Sequence, residues 1–354
     1  MIQQERLILG LSEFGKSLEQ VLLGLKNISE TDHKTFKDLD RWSTLLDRVY
    51  IQNAWFTREQ LIYALEAWIP LLRQDSLRSW VRPYPKPSES AKTVALILAG
   101  NIPLVGFHDL LSVLLSGNRA LVKYPTNDGL LLPFLISELE NHIPGIADNI
   151  MFTAGKLTAF DAVIATGSNN TSRYFEYYFA SKPHIIRKNR NSVAVLFGNE
   201  TTQELSGLAM DIFRYFGMGC RSVSKLFVPQ GYDFEQLFQA LFEYKDVIHH
   251  QKYANNYDYN KAVYLMSGAA MLDNGFLLLK EDSGLGSPIG TLFYETFTGK
   301  NQIQAHLKQQ EELLQCVVGS KDILGAIPFG SSQYPSLTTY ADGIDTLHFL
   351  MTGI

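Results

Sequence analysis

Cys220 and Cys316 are the only two thiols in this chain of 354 residues, and they sit in very different surroundings. Cys220 lies in Phe216-Gly-Met-Gly219-Cys220-Arg221-Ser222, between a glycine-broken helix end and an apolar run that reads as a buried strand. Glycines allow close backbone approach, and neighbouring N–H groups favour a thiolate, so the segment suits a nucleophile. A single cysteine is more commonly a small buried hydrophobe, and Cys316, in Leu313-Leu-Gln-Cys316-Val-Val, takes that reading. Two further segments close a strand and open a helix. In Leu98-Ala-Gly-Asn101-Ile-Pro103-Leu the Asn101 amide can donate to a developing oxyanion, although asparagine ahead of a helix more commonly caps it. In Ile164-Ala-Thr166-Gly167-Ser168-Asn the backbone N–H groups and hydroxyls suit a phosphate, although a plain capped turn is the commoner meaning. Leu121-Val-Lys123-Tyr-Pro125 is another strand end, from which Lys123 can reach a ribose or phosphate.

Several chemistries lack their residues. No P-loop occurs, and Gly284-Leu-Gly286-Ser-Pro-Ile-Gly290 has one residue too many for a dinucleotide fingerprint. The adjacent pair His249-His250 diverges on either a helix or a strand and has no third ligand, so no metal is expected. A G-x-S-x-G elbow is also absent.

The elements that must position these residues alternate. Leu7, Leu11, Phe14, Leu18, Val21 and Leu25 form one helical stripe, and Thr57 to Gln60 fits a capping box for a further helix. Pro83, Pro85 and Pro87 then mark an extended connector. Strands are expected at Thr93–Ala99, Ala120–Tyr124, Asp161–Ala165 and Ser192–Phe197, with helices near 107–116, 129–142 and 170–181 between them. After residue 200 a helix should run to about Phe216, then a strand at Ser222–Val228 and a helix at Phe234–Tyr244. Later strands are expected at Ala262–Met266, Phe276–Lys280 and Thr291–Phe297. The alternation implies βαβ units on parallel sheets, an α/β fold.

Composition narrows the class. Hydrophobic residues make up 46% and charged residues 19%, which excludes disorder. A net charge of −5 gives no general reason to bind nucleic acid or an anionic membrane. Two widely separated cysteines cannot make a disulfide framework and point to a reducing compartment. The longest apolar stretches fall short of the ~18 residues of a membrane span. The expectation is a cytoplasmic protein with no membrane span.

Taken in order, these segments resemble the aldehyde dehydrogenase superfamily. Asn101-Ile-Pro103 is similar to its oxyanion turn and Val122-Lys123 to its cofactor-lysine strand. Thr166-Gly167-Ser168 is similar to the start of its cofactor helix, Gly219-Cys220 to its nucleophile, and Ile327-Pro328-Phe329-Gly330 to its Pro-Phe-Gly segment. The stretches Ala99 to Asp109, Gly219 to Ser224 and Tyr340 to Thr346 resemble the acyl-CoA reductases related to the bacterial luminescence (LuxC-type) fatty-acid reductase. The resemblance implies an aldehyde-dehydrogenase-like fold: a helical N-terminus and Rossmann-type NAD(P) domain over 1–188, a catalytic domain over 189–324 and a return segment over 325–354. Hydrolytic members carry Glu-Leu-Gly-Gly-Lys-Ser where this chain has Arg187-Lys-Asn-Arg-Asn-Ser192, so the base that would activate a deacylating water falls on Arg187. Many NAD-preferring members carry glutamate at the position of Thr126, and a neutral threonine tolerates a 2′-phosphate.

The implied reaction is reduction of an acyl-CoA to an aldehyde through a thioacyl-Cys220, with coenzyme A leaving and Asn101 as the oxyanion donor. NADPH is the expected cofactor, NADH the alternative, held by Lys123, Thr126, Thr166, Gly167 and Ser168. His108 is either an acid–base group or an ordinary helix-surface histidine. The competing activities are oxidation of an aldehyde to the acid, or a scaffold subunit without turnover. An acyl-transferring partner protein and a homodimer are the expected associations. Tyr253, Tyr257 and Tyr259 would line an acyl tunnel or lie in a polar surface loop.

Overall fold

The computed structural model describes residues 2–26, 33–88 and 90–354. The chain divides into two compact units, Met1–Lys188 with Ser336–Ile354, and Asn189–Pro335.

The first unit opens with helices α1 (Gln4–Lys26), α2 (His33–Gln52), α3 (Arg58–Trp68) and α4 (Gln74–Val81). The stripe on α1 is buried as its spacing predicts, with Leu22 rather than Val21 taking one place because a 3.6-residue turn alternates steps of three and four. Thr57 Oγ1 accepts from the Gln60 N–H at 3.3 Å and fixes the start of α3. There follow β1 (Thr93–Ile97), α5 (Phe107–Leu115), β2 (Arg119–Lys123), α6 (Leu131–Glu140), β3 (Ile150–Thr153), β4 (Ala162–Thr166), α7 (Asn169–Phe179) and β5 (His184–Arg187). All five strands are parallel, in the order β3-β2-β1-β4-β5. The edge strands β3 and β5 escape the sequence reading because they are short and partly exposed. The order reverses at β1, which pairs β2 on one side and β4 on the other. In such doubly wound sheets that switch point opens a crevice at the carboxyl ends of the strands.

The second unit contains β6 (Asn191–Val195), α8 (Thr202–Phe213), β7 (Val223–Pro229), α9 (Glu235–Leu241), α10 (Gln251–Ser267), β8 (Met271–Asp273), β9 (Leu278–Glu281), β10 (Thr291–Phe297), α11 (Lys300–Gln309) and β11 (Leu314–Gly319). Its sheet runs β11-β6-β7-β10-β9-β8, parallel except for β8. One face buries Val193, Val195, Phe227, Phe297, Ile303, Leu307 and Ile323. Thr201 and Glu204 form a reciprocal capping box on α8. The expected strand Ala262–Met266 is instead the last part of α10, stopped by Gly268 in the left-handed conformation. The apolar run misleads because Val263 and Met266 face solvent rather than a core. The tyrosines of that helix correct a second expectation. Tyr253 and Tyr257 are buried helix residues whose hydroxyls donate to the Phe276 carbonyl (2.9 Å) and Asp273 Oδ1 (2.6 Å), and Tyr259 is exposed. They belong to a helix, not to a polar surface loop.

Among the described residues no helix is long and apolar enough to cross a membrane, and no group of three metal-capable side chains converges.

Candidate active site

In the first unit the candidate residues gather at the carboxyl edge of the sheet. β1 ends opposite Lys123 and Ala165, its partners in register at Ile97. The chain then runs through an exposed Asn101 into a turn in which Leu104, though not a glycine, has φ 61°. Such conformations cost about 1–3 kcal/mol and cluster at functional turns; here burial of the Leu104 side chain holds it. Asn101 does not cap the following helix. α5 starts six residues later with Gly106 as its N-cap.

Lys123 closes β2, half-buried, and makes no ion pair among the described residues. The loop after it turns back across β1. Asn127 Nδ2 donates to the Gly100 carbonyl at 3.2 Å, and a Cβ on Gly100 would lie 2.6 Å from the Pro125 ring. Thr126 is exposed on this loop, its carbonyl accepting from Gln52 Nε2 at 3.4 Å. Asp128 is the residue the sequence reading missed. Its Oδ1 is buried without a hydrogen-bond partner, and burial pushes its carboxyl up to about 7. Thr166 ends β4, and Ser168 caps α7 through its Oγ, which accepts from the Thr171 N–H at 3.3 Å. The capped-turn reading of Ser168 therefore holds, and it leaves the positive end of α7 at the switch point. Hydroxyls at Thr166 and Ser168, an ammonium at Lys123 and a helix N-terminus make a donor set that fits a dinucleotide.

Arg187 ends β5 and is turned into the interior. Its guanidinium grips Asp109 of α5 with two hydrogen bonds, Nη2 to Oδ1 at 2.8 Å and Nη1 to Oδ2, and Nη2 also donates to Thr346 Oγ1 at 2.9 Å. Both charged side chains are almost wholly buried. The sequence marks Arg187 only as standing where hydrolytic members keep a base, and it does not single out Asp109. The signal was a lone acid in the otherwise apolar helix Phe-His-Asp-Leu-Leu-Ser-Val-Leu-Leu. His108 is not a surface histidine. Its ring lies 4.8 Å from Trp80 and 5.6 Å from Tyr340, and Nε2 is 2.9 Å from the Leu337 carbonyl. Burial holds its pKa below the ordinary histidine range, which with that carbonyl assigns a neutral ring donating from Nε2.

Cys220 belongs to the second unit. α8 ends at Phe213, and Tyr215 and Phe216 then adopt left-handed conformations (φ 54° and 56°), pinned by burial of both rings. The thiol that follows is exposed. The loop around it is fastened at several points. The Ser222 N–H donates to the Gly219 carbonyl at 2.9 Å, Arg221 Nε donates to the Ser332 carbonyl, and Ser192 Oγ donates to the carbonyl of Cys220 itself at 2.9 Å. Asp211 of α8 accepts from the N–H groups of Gly330 (2.7 Å) and Ser332 (2.9 Å), which ties the Pro-Phe-Gly segment to the same helix. Burial raises its carboxyl pKa, and those hydrogen bonds oppose the rise. Cys316 is mostly buried on β11, with Sγ 3.1 Å from Ser192 Oγ. It is therefore more than an apolar filler.

Residues 4–276 match the family described as acyl-CoA reductase (LuxC). The long-chain acyl-protein thioester reductase 2 of Photobacterium leiognathi is 24% identical over 243 residues, covering 62% of this chain and 47% of that protein. The chain thus spans about half the length of the curated relative it matches. Solved structures share the fold. The indole-3-acetaldehyde dehydrogenase AldA of P. syringae, determined with NAD+, superposes with a TM-score of 0.66 at 14% identity over 92% of this chain and 78% of that one. An NADP-dependent enzyme of E. coli does so with a TM-score of 0.62 at 13% identity over 93% and 81%. The fold is that of the aldehyde dehydrogenases, and the chain belongs to the acyl-CoA reductase (LuxC) family.

Proposed function

We propose that this protein reduces an acyl-CoA thioester to the aldehyde, with Cys220 as nucleophile and Asn101 as a donor to the oxyanion. The observation that carries the reductive direction is Arg187. Where the hydrolytic members hold a base, this chain holds a guanidinium committed to Asp109 and Thr346, so no group at that position can activate a deacylating water.

The Cys220 thiolate attacks the thioester carbonyl. The oxygen that gains charge is stabilised by the Asn101 amide and the Cys220 N–H, a kind of contact worth about 3–4 kcal/mol in other enzymes. Collapse expels coenzyme A as the thiolate and leaves a thioacyl on Cys220. Lys123, Thr126, Thr166, Gly167 and Ser168 bind and orient a nicotinamide cofactor, which when bound supplies the hydride that reduces the thioacyl carbon. The resulting thiohemiacetal on Cys220 releases the aldehyde and regenerates the thiolate. Neutral Thr126 supports NADPH over NADH.

Thioester-dependent consumption of NADPH or NADH, followed across a series of acyl-CoAs, tests the reading. Cys220→Ala should abolish aldehyde formation and leave cofactor binding intact; full activity in that variant refutes it. The Photobacterium relative is named for an acyl-protein substrate, which favours a second carrier for the same chemistry. Turnover of a protein-bound thioester but of no acyl-CoA would select it.

A further inference from the structure

We propose that Ser192 and Cys316 are positioning residues for Cys220, forming a relay that clamps the nucleophile's carbonyl from the interior of the sheet. The proposal rests on the reading of Cys220 as the nucleophile, and it concerns two residues that the reaction itself does not use.

Ser192 is fully buried at the start of β6. Its Oγ lies 2.9 Å from the Cys220 carbonyl oxygen and 3.1 Å from Cys316 Sγ. A hydroxyl has one proton, and a carbonyl can only accept. The Ser192 proton therefore lies on the bond to Cys220, and the Cys316 S–H must donate to Ser192 Oγ. The direction of the relay is thus fixed: Cys316 S–H to Ser192 O–H to the Cys220 carbonyl. Burial, the largest influence, raises the Cys316 pKa against the pull of Arg221, and donating to Ser192 also favours the neutral thiol, so it stays protonated as the relay requires. The neighbouring charges are Arg221, held by the Ser332 carbonyl, and Asp211, held by the Gly330 and Ser332 N–H groups.

The geometric consequence falls on the nucleophile. In a trans peptide the C=O and the next N–H point in opposite directions. With the Cys220 carbonyl drawn to Ser192, the Arg221 N–H is directed away from Ser192, and ψ at Cys220 is fixed. The carbonyl lone pairs are thereby engaged in the interior, where they cannot swing toward the thiolate and raise its pKa. β11 supplies the donor because Cys316 pairs in register with Ser192 across β11 and β6. Two strands and the nucleophile loop are joined at one hydroxyl.

The test is alkylation of Cys220 by iodoacetamide, read from the mass of its peptide between about pH 6 and about pH 10. Wild type is compared with Ser192→Ala, Cys316→Ala and Cys316→Ser, alongside kcat, KM for the cofactor and melting temperature. Ser192→Ala should move the alkylation midpoint to higher pH and lower kcat by about threefold to tenfold, the factor corresponding to one hydrogen bond, at unchanged cofactor KM. Cys316→Ser keeps a donor and should stay within about twofold of wild type, while Cys316→Ala moves in the direction of Ser192→Ala. Should Ser192→Ala fail to fold, the two Cys316 variants decide alone. A wild-type alkylation midpoint in Ser192→Ala, or identical behaviour of the two Cys316 variants, overturns the proposal. So does a fall in melting temperature with the alkylation profile unmoved, the mark of a merely structural role. Alkylation is read on Cys220 whether or not the enzyme turns over, so activity surviving in Cys220→Ala would refute the nucleophile without deciding the clamp.

Discussion

Asp109 and Arg187 show what a single pair of side chains commits a site to. Paired with each other and almost wholly buried, they are stable together, but either one alone would be an uncompensated charge in the interior. Asp109→Asn is expected to cost about 3 kcal/mol or more in urea unfolding, whereas Asp109→Leu combined with Arg187→Met should recover most of it. No recovery in the double variant, or no loss in the single variant, would contradict the pairing. His108 and Asp128 make opposite contributions to the pH dependence of stability. A histidine held neutral in the fold takes up a proton more readily once unfolded. Stability from His108 is therefore intact above about pH 6.5 and drains away as pH falls below it. His108→Gln should flatten that acid limb of the unfolding midpoint. Asp128 titrates at about 7 in the fold, far above its unfolded value of about 3.9. Its ionised form therefore costs stability above about 7, and the cost fades as pH falls toward the unfolded value. Asp128→Asn should raise the urea midpoint at about pH 8, with a smaller gain at about pH 5. An equal gain at both would show that the carboxyl is not desolvated.

Among the elements, the loop after β2 has its shape dictated by a missing side chain. Gly100 lets Pro125 and Asn127 lie directly on the end of β1. The Asn127 amide could swing aside from a new Cβ, but the Pro125 ring could not. Gly100→Ala is accordingly expected to displace the loop carrying Thr126 and raise the cofactor KM, with Cys220 alkylation at its wild-type rate. An unchanged KM would mean that the loop does not touch the cofactor. Left-handed non-glycine residues flank both candidate residues, with Leu104 following Asn101, and Tyr215 and Phe216 preceding Cys220, while Ala159 and Asp342 lie elsewhere. Leu104, Tyr215 and Phe216 are held by their own burial. None of this was legible from propensity, since the strain is sustained by packing from distant segments. The interior strands were legible because they are continuous apolar runs. Edge strands β3 and β5 were not, and the exposed apolar run of α10 imitated a strand.

At the scale of the molecule, two sheets in two compact units should unfold as two cooperative bodies. Trp42, Trp55, Trp68 and Trp80 all lie in the first unit and Cys220 in the second. Tryptophan fluorescence and protection of the Cys316 thiol are therefore expected to report separate transitions in urea, and coincident curves would indicate a single cooperative unit. By itself the sequence determined the α/β class, the order of the motifs and the family, because these depend on local periodicity and on residue types at short spacing. Asn101, Lys123 and Thr166 could be placed at strand ends for the same reason. What only the tertiary structure decided is which side chains meet across long separations. Arg187 reaches Asp109 and Thr346, His108 sits among Trp80, Tyr340 and the Leu337 carbonyl, and Ser192 joins Cys220 to Cys316. Each of these contacts depends on strand order and register, which a local pattern does not encode, and each changes the chemistry available to the residue it touches.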